Sequence, residues 1–146
     1  MMLYALDTNT FGPLVIGDPT VIAHISSLAP TDELAVPVIT AEEALRGRLA
    51  QIRRAQAKDE ARLGQVLHWL VVTLQVLGDV YILPYDEAAQ KEFARLKALR
   101  LPGLGIQDLR IAAIARAAGA VLVTVEAAFK NIPSLMVEDW TQPRTP

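Results

Sequence analysis

Leu3-Tyr4-Ala5-Leu6-Asp7-Thr8-Asn9 is an apolar run that stops at a carboxylate followed by two small polar residues. The run reads as a short buried strand over residues 2–6, with Asp7 at its carboxyl end. A carboxylate set against apolar sheet is costly unless it is paired, hydrogen-bonded or bound to a metal. The same pattern recurs twice downstream. Leu34-Ala35-Val36 reads as a second strand, limited by Pro37, and Glu43 falls on the first turn of the helix after it. Asp108 opens a small-residue-rich helix, 108–118, which Gly119 ends before the strand Val121-Leu122-Val123.

Between these segments the chain alternates regularly. Asn9 to Ile16 reads as a brief helix, and Asp18-Pro19 starts another, with Asp18 as N-cap and Pro19 in the first position. Thr40 opens a long helix over roughly 40–56, and a further helix spans about 59–77. In the latter, Trp69, Val72, Val76 and Leu77 widen the apolar stripe past one face, so this helix is buried on more than one side. Gly78-Asp79 breaks it ahead of a strand at Val80–Leu83. A helix from Tyr85-Asp86 to about Leu99, a glycine-containing loop and a fifth strand near Leu135–Val137 complete the pattern. Strands alternating with helices predict an α/β fold: a parallel sheet of four to five strands with helices on both faces. Residues 1–140 form one domain on this reading, and the tail 141–146 is expected to be disordered.

Composition narrows the classes. The 146 residues are 52% hydrophobic, which supplies a core, and include no cysteine, which removes disulfides and thiolate metal sites. No signal peptide is apparent and no apolar run is long enough to span a bilayer, so a cytoplasmic protein without a membrane partner is expected. The net charge of −2 gives no global pull toward nucleic acid, but the charges are segregated. Residues 1–45 hold six acids and no lysine or arginine; residues 46–62 hold six of the fourteen basic residues, Arg46 and Arg48 among them. Such asymmetry points to a polyanionic ligand, and equally describes a solvated helix face.

Each acid has a local reading beside the functional one. Asp7 is a rigidly held metal ligand, or a cap for the next helix. Glu43 is a ligand, or the fourth residue of a capping box that Thr40 begins. Asp108 is a ligand, or a first-turn acid favoured by the helix dipole, with Arg110 close enough to pair with it or with a phosphate. Glu126, just past the fourth strand, joins the same crevice in the simplest layout or starts a short helix, and Thr124 can hydrogen-bond a carboxylate there. Ligands of open parallel sheets bind beyond the carboxyl ends of the strands. Packed carboxylates repel, and a divalent cation with a preference for oxygen, Mg²⁺ or Mn²⁺, relieves that repulsion. His24 and His68 are isolated, and Gly103-Leu104-Gly105 does not start a helix after a strand, so neither supports a different site.

The segments 6–11 (Leu-Asp-Thr-Asn-Thr-Phe), 39–47 (Ile-Thr-Ala-Glu-Glu-Ala-Leu-Arg-Gly) and 107–113 (Gln-Asp-Leu-Arg-Ile-Ala-Ala) resemble those of PIN-domain ribonucleases, most closely the VapC-type toxins of bacterial toxin–antitoxin pairs. The resemblance runs nearly the whole chain, to Glu138-Asp139-Trp140. It implies a PIN-like parallel sheet and hydrolysis of RNA with Mg²⁺ or Mn²⁺. Asp7, Glu43 and Asp108 would be the catalytic and metal-binding acids, with Glu43 rather than Glu42 in the second place. Thr8, Asn9 and Thr124 would be accessory, and Arg46, Arg48 and Arg110 candidate contacts to RNA phosphates. The resemblance also implies a homodimer and a small antitoxin docked on the two helices spanning about 40–77, at Trp69, Val72 and Val76.

One departure stands out. Where the family reads Thr, Asn, then an Asp before Phe, this chain has Thr124-Val125-Glu126-Ala127-Ala128-Phe129. Ala128 takes the place of the expected acid, and Glu126 is the candidate fourth metal ligand. A PIN-fold module that binds RNA or a protein without cutting is the rival reading. A phospho-accepting receiver domain is the third, and it fits poorly: Leu83-Pro84 and Val137-Glu138 stand where it needs Asp and Lys.

Overall fold

A computed structural model of the chain describes residues 1–144. Five strands, β1 (Leu3–Leu6), β2 (Glu33–Pro37), β3 (Tyr81–Leu83), β4 (Val121–Val123) and β5 (Val137–Glu138), form one parallel sheet in the order β3-β2-β1-β4-β5. Six helices cover it: α1 (Thr8–Val15), α2 (Pro19–Ser26), α3 (Val38–Gln56), α4 (Glu60–Asp79), α5 (Glu87–Ala98) and α6 (Ile106–Ala118). The chain lays β1, β2 and β3 outward in one direction, then places β4 on the other side of β1. The point where the order reverses therefore lies between β1 and β4, and a crevice opens there beyond the strand ends.

Alternation along β1 builds a core on each face of the sheet. Leu3 and Ala5 point toward α5 and α6, where Leu96, Ile111, Ile114 and Phe129 pack. Tyr4 and Leu6 point the other way, toward Phe11 of α1, Val21 of α2 and Trp140. Among the described residues no helix is long and apolar enough to cross a membrane.

Several boundaries differ from the sequence expectation, each for a physical reason. The helix expected to begin at Thr40 begins at Val38, with Pro37 as N-cap and no side-chain cap. Proline's restricted φ, here −57°, turns the chain directly from β2 into α3. Thr40 is consequently not a cap but a fully buried residue whose Oγ1 has no hydrogen-bond partner among the described residues. Thr40→Val is nearly isosteric and removes that unsatisfied hydroxyl, so it should raise stability by about 1 kcal/mol. A capping threonine would instead lose about 1 kcal/mol on losing its hydroxyl; urea denaturation distinguishes the two signs.

Further along, α4 continues through Gly78 and Asp79, and the chain turns extended only at Val80. The last strand falls at Val137–Glu138 rather than 135–137, because its pairing comes from backbone bonds of Leu122 to Met136 and of Thr124 to Glu138. In the tail expected to be disordered, Thr141–Arg144 are described: Thr141 bonds the Asp139 carboxylate, and the Gln142 carbonyl lies 2.8 Å from His24 Nε2 on α2. Thr145 and Pro146 lie outside the described residues.

Candidate active site

Asp7 leaves the end of the central strand and caps α1, accepting from the Thr8 N–H at 2.7 Å. Its other oxygen accepts from Thr124 Oγ1 at 2.7 Å and Asn9 Nδ2 at 3.2 Å. Thr124 follows β4, so the two central strands meet side chain to side chain just past their ends. Asn9 bridges them further: its Oδ1 accepts from the Val125 N–H, and its Nδ2 also reaches Thr124 Oγ1. Asp7 is only 5% exposed. Burial pushes its pKa up, opposed by the bonds from Thr124 and Thr8 and reinforced by the charges of Asp108 and Glu43.

The other acids reach this point from three directions. Glu43, on α3 after β2, accepts from Thr8 Oγ1 at 2.9 Å, which ties α3 to α1. Asp108 lies in the first turn of α6, with Gly105 as the N-cap; its Oδ2 accepts from the Gly105 N–H at 2.9 Å. Glu126 follows β4, its N–H donating to Thr124 Oγ1. Asp7, Thr8, Asn9, Glu43, Asp108 and Glu126 together line one open cleft of about 310 Å³. Ala128 instead lies against the loop before α6, its Cβ 3.2 Å from where a Cβ on Gly103 would stand. Glu126 is thus the acid that β4 delivers to the cleft.

The donor set is entirely oxygen and carries several negative charges, which is the chemistry of a hard divalent cation. Among the described residues no three His, Asp or Glu side chains are gathered tightly enough to hold one ion as they stand. Two reasons are visible: Glu43 is turned to the Thr8 hydroxyl and Asp108 to the Gly105 N–H.

Arg46, Arg48 and Arg110 do not line the cleft itself. Arg46 pairs with Glu42 one turn back on the exposed side of α3. Arg48 bonds Thr73 of α4 through Nε at 3.1 Å and stands 5.8 Å from the Trp69 ring. Arg110 bonds Gln107 and stacks over Phe93 at 5.2 Å, with no bond to Asp108. Trp69, Val72 and Val76 are partly buried against the chain's own core. The apolar surface that α4 leaves open is Leu67, Val71 and Leu74, which are 40–51% exposed. Helical spacing alone does not say which edge of an over-wide stripe faces inward. Thr8's bond to Glu43 was not legible in the sequence, since nothing in residues 7–9 points to α3.

Asp7 caps an α/β crevice at the strand-order reversal, with acids arriving from α3, α6 and the end of β4. The sequence profile of the family described as PIN domain matches residues 4–135. The chain belongs to the PIN domain family.

Three solved structures that this PIN domain resembles come from toxin–antitoxin systems or their relatives. The first is VapBC2 from Rickettsia felis bound to a DNA fragment from their promoter (27% identity, 95% of this chain and 99% of that chain, TM-score 0.74). The second is VapBC-1 from nontypeable Haemophilus influenzae (27% identity, 97% and 100%, TM-score 0.75). The third is VapBC-5 from Mycobacterium tuberculosis, a member of the VapBC family of toxin–antitoxin systems (27% identity, 95% and 98%, TM-score 0.63). No curated protein matches the chain.

In the metal-free PIN domain the raised Asp7 pKa has a measurable consequence. Above that pKa the buried carboxylate is charged and costs stability; below the ordinary Asp range it is neutral in both folded and unfolded chains. Its contribution to stability is therefore greatest at acid pH and is lost as pH rises through the folded value. Asp7→Asn removes the charge. Its stability relative to the parent should be highest at neutral pH and should decline as pH falls through the Asp7 titration. Urea unfolding of both proteins across pH in EDTA checks this.

Proposed function

We propose that this protein is a metal-dependent endoribonuclease, the toxin of a toxin–antitoxin pair. The observation that carries the reading is the convergence of Asp7, Glu43, Asp108 and Glu126 on one cleft at the strand-order reversal of a PIN domain. Asp7, Glu43 and Asp108 would hold Mg²⁺ or Mn²⁺, Glu126 adding a fourth carboxylate. Bound there, the ion would supply a water of lowered pKa and neutralise charge on the phosphodiester.

The chain's own residues set the geometry. Thr124, Asn9 and the Thr8 N–H fix both oxygens of Asp7. Thr8 holds Glu43 and Gly105 holds Asp108 through one hydrogen bond each, which these carboxylates would give up to hold the ion. The openness of the cleft suits a strand of RNA passing across it. The toxin assignment is supported by the VapBC structures the chain resembles. The exposed apolar residues Leu67, Val71 and Leu74 of α4, with Leu49 of α3, are the surface on which a small antitoxin would dock. A homodimer belongs to the same proposal.

Purified protein should cleave single-stranded RNA with Mg²⁺ or Mn²⁺, and EDTA should abolish the cleavage, read as fragment release on a denaturing gel. One observation favours a second reading, an RNA-binding PIN domain that does not cut: the acid expected before Phe129 is Ala128, packed toward Gly103. RNA binding without any metal-dependent cleavage would establish that reading instead.

A further inference from the structure

A second pocket, of about 200 Å³, opens beside the carboxylate cleft and shares two of its walls, Thr8 and Glu43. It lies between α1, α3 and α4, and is smaller than the sites that take drug-sized ligands. Phe11 and Val15 of α1 give it an apolar side. Arg48 and Gln51 give it a polar one, and these two are pre-set by each other: Arg48 Nη1 donates to Gln51 Oε1 at 3.1 Å while Arg48 Nε is held by Thr73. With those bonds made, Arg48 Nη2 and Gln51 Nε2 remain without partners among the described residues. Both are donors.

We propose that this pocket is a base-specificity subsite, taking one unpaired nucleobase of the strand whose phosphate lies at the carboxylates. The inference rests on the nuclease reading above. Sequence-specific RNA recognition splays single bases into such pockets, stacking the face on apolar groups and bonding the edge. Continuity through Thr8 and Glu43 places the pocket one step along the strand from the cleft. Two donors select a base edge that offers acceptors. Guanine presents two adjacent acceptors, N7 and O6, on one edge, whereas adenine sets an amino donor beside its N7 that would oppose one of them.

Gly47 on α3 offers a clean way to fill the pocket. It lines the pocket, and a Cβ built on it meets nothing within 4 Å, so a larger side chain enters open space. Replacing a helix-interior glycine also favours the helix. Gln51→Ala is the second variant, removing a donor without adding bulk.

The experiment measures fluorescence anisotropy of the full chain in Ca²⁺, a hard cation that can bridge carboxylates and phosphate, with tetranucleotides that differ in one base. The parent should bind guanine-containing oligonucleotides about tenfold tighter than their adenine counterparts. Gly47→Leu and Gln51→Ala should each reduce that ratio toward one. Equal affinity for all bases in the parent, or a preference that both variants retain, overturns the subsite. The two readings fail separately: cleavage without base preference removes only the subsite, and base preference without cleavage removes only the nuclease.

Discussion

Replacing Asp7 with asparagine is expected to reduce metal-dependent RNA cleavage by at least about 100-fold, because even outer-shell residues of a metal site are worth 10–100-fold. Asp7 is the one acid of the cleft that is buried and held at both oxygens. Asparagine keeps the shape and the acceptor for the Thr8 N–H but loses one anionic oxygen. The folded state should survive. The bonds that Thr124 Oγ1 and Asn9 Nδ2 now donate to Asp7 Oδ2 are lost, while the desolvation and repulsion that burden Asp7 disappear. Stability should therefore change by no more than about 1 kcal/mol in buffer without metal. Parallel measurement of cleavage, Mn²⁺ affinity and thermal unfolding tests the assignment. Undiminished cleavage in a folded Asp7→Asn protein would refute it.

Trp140→Ala should have the largest effect on stability, a loss of about 3–5 kcal/mol. Trp140 is among the largest fully buried side chains and follows the final strand. Its ring lies 5.3 Å from Tyr4 of the central strand and stacks on His24 of α2 at 5.6 Å, nearly parallel. Its Nε1 bonds Glu138 at 3.1 Å. Truncation empties the space between β1 and α2, and the melting temperature of a domain this size should fall by about 10 °C or more. Calorimetry measures it. A change of only a degree or two would mean the surrounding side chains collapse into the void.

The central strands were legible because each is a short apolar run bounded by punctuation: Asp7 after Leu3–Leu6, Pro37 after Leu34–Val36, Gly119 before Val121–Val123. The edge strand β5 was displaced from its expected place because two residues carry no side-chain periodicity, and the backbone of β4 alone decides the pairing. The start of α3 was not legible because Thr40-Ala41-Glu42-Glu43 matches a capping box in sequence. In the structure, Pro37 had already begun the helix, which frees Glu43 for Thr8. The cleft acids themselves were legible as carboxylates next to strand ends. Their directions were not, since those depend on hydrogen bonds from Thr8, Gly105 and Thr124 across 35, 3 and 117 residues of chain. The inward and outward edges of α4 were likewise decided only by which face α1 and the sheet cover.

The bond between Thr124 and Asp7 also orders events during synthesis. A ribosome delivers Asp7 well before Thr124, so the nascent chain carries β1 with one side unpaired until β4 emerges to cover it. Until then Asp7 has neither its threonine nor the neighbouring Glu126, and the carboxylate cluster is incomplete. The cleft is therefore assembled only once the chain has grown the 117 residues from Asp7 to Thr124.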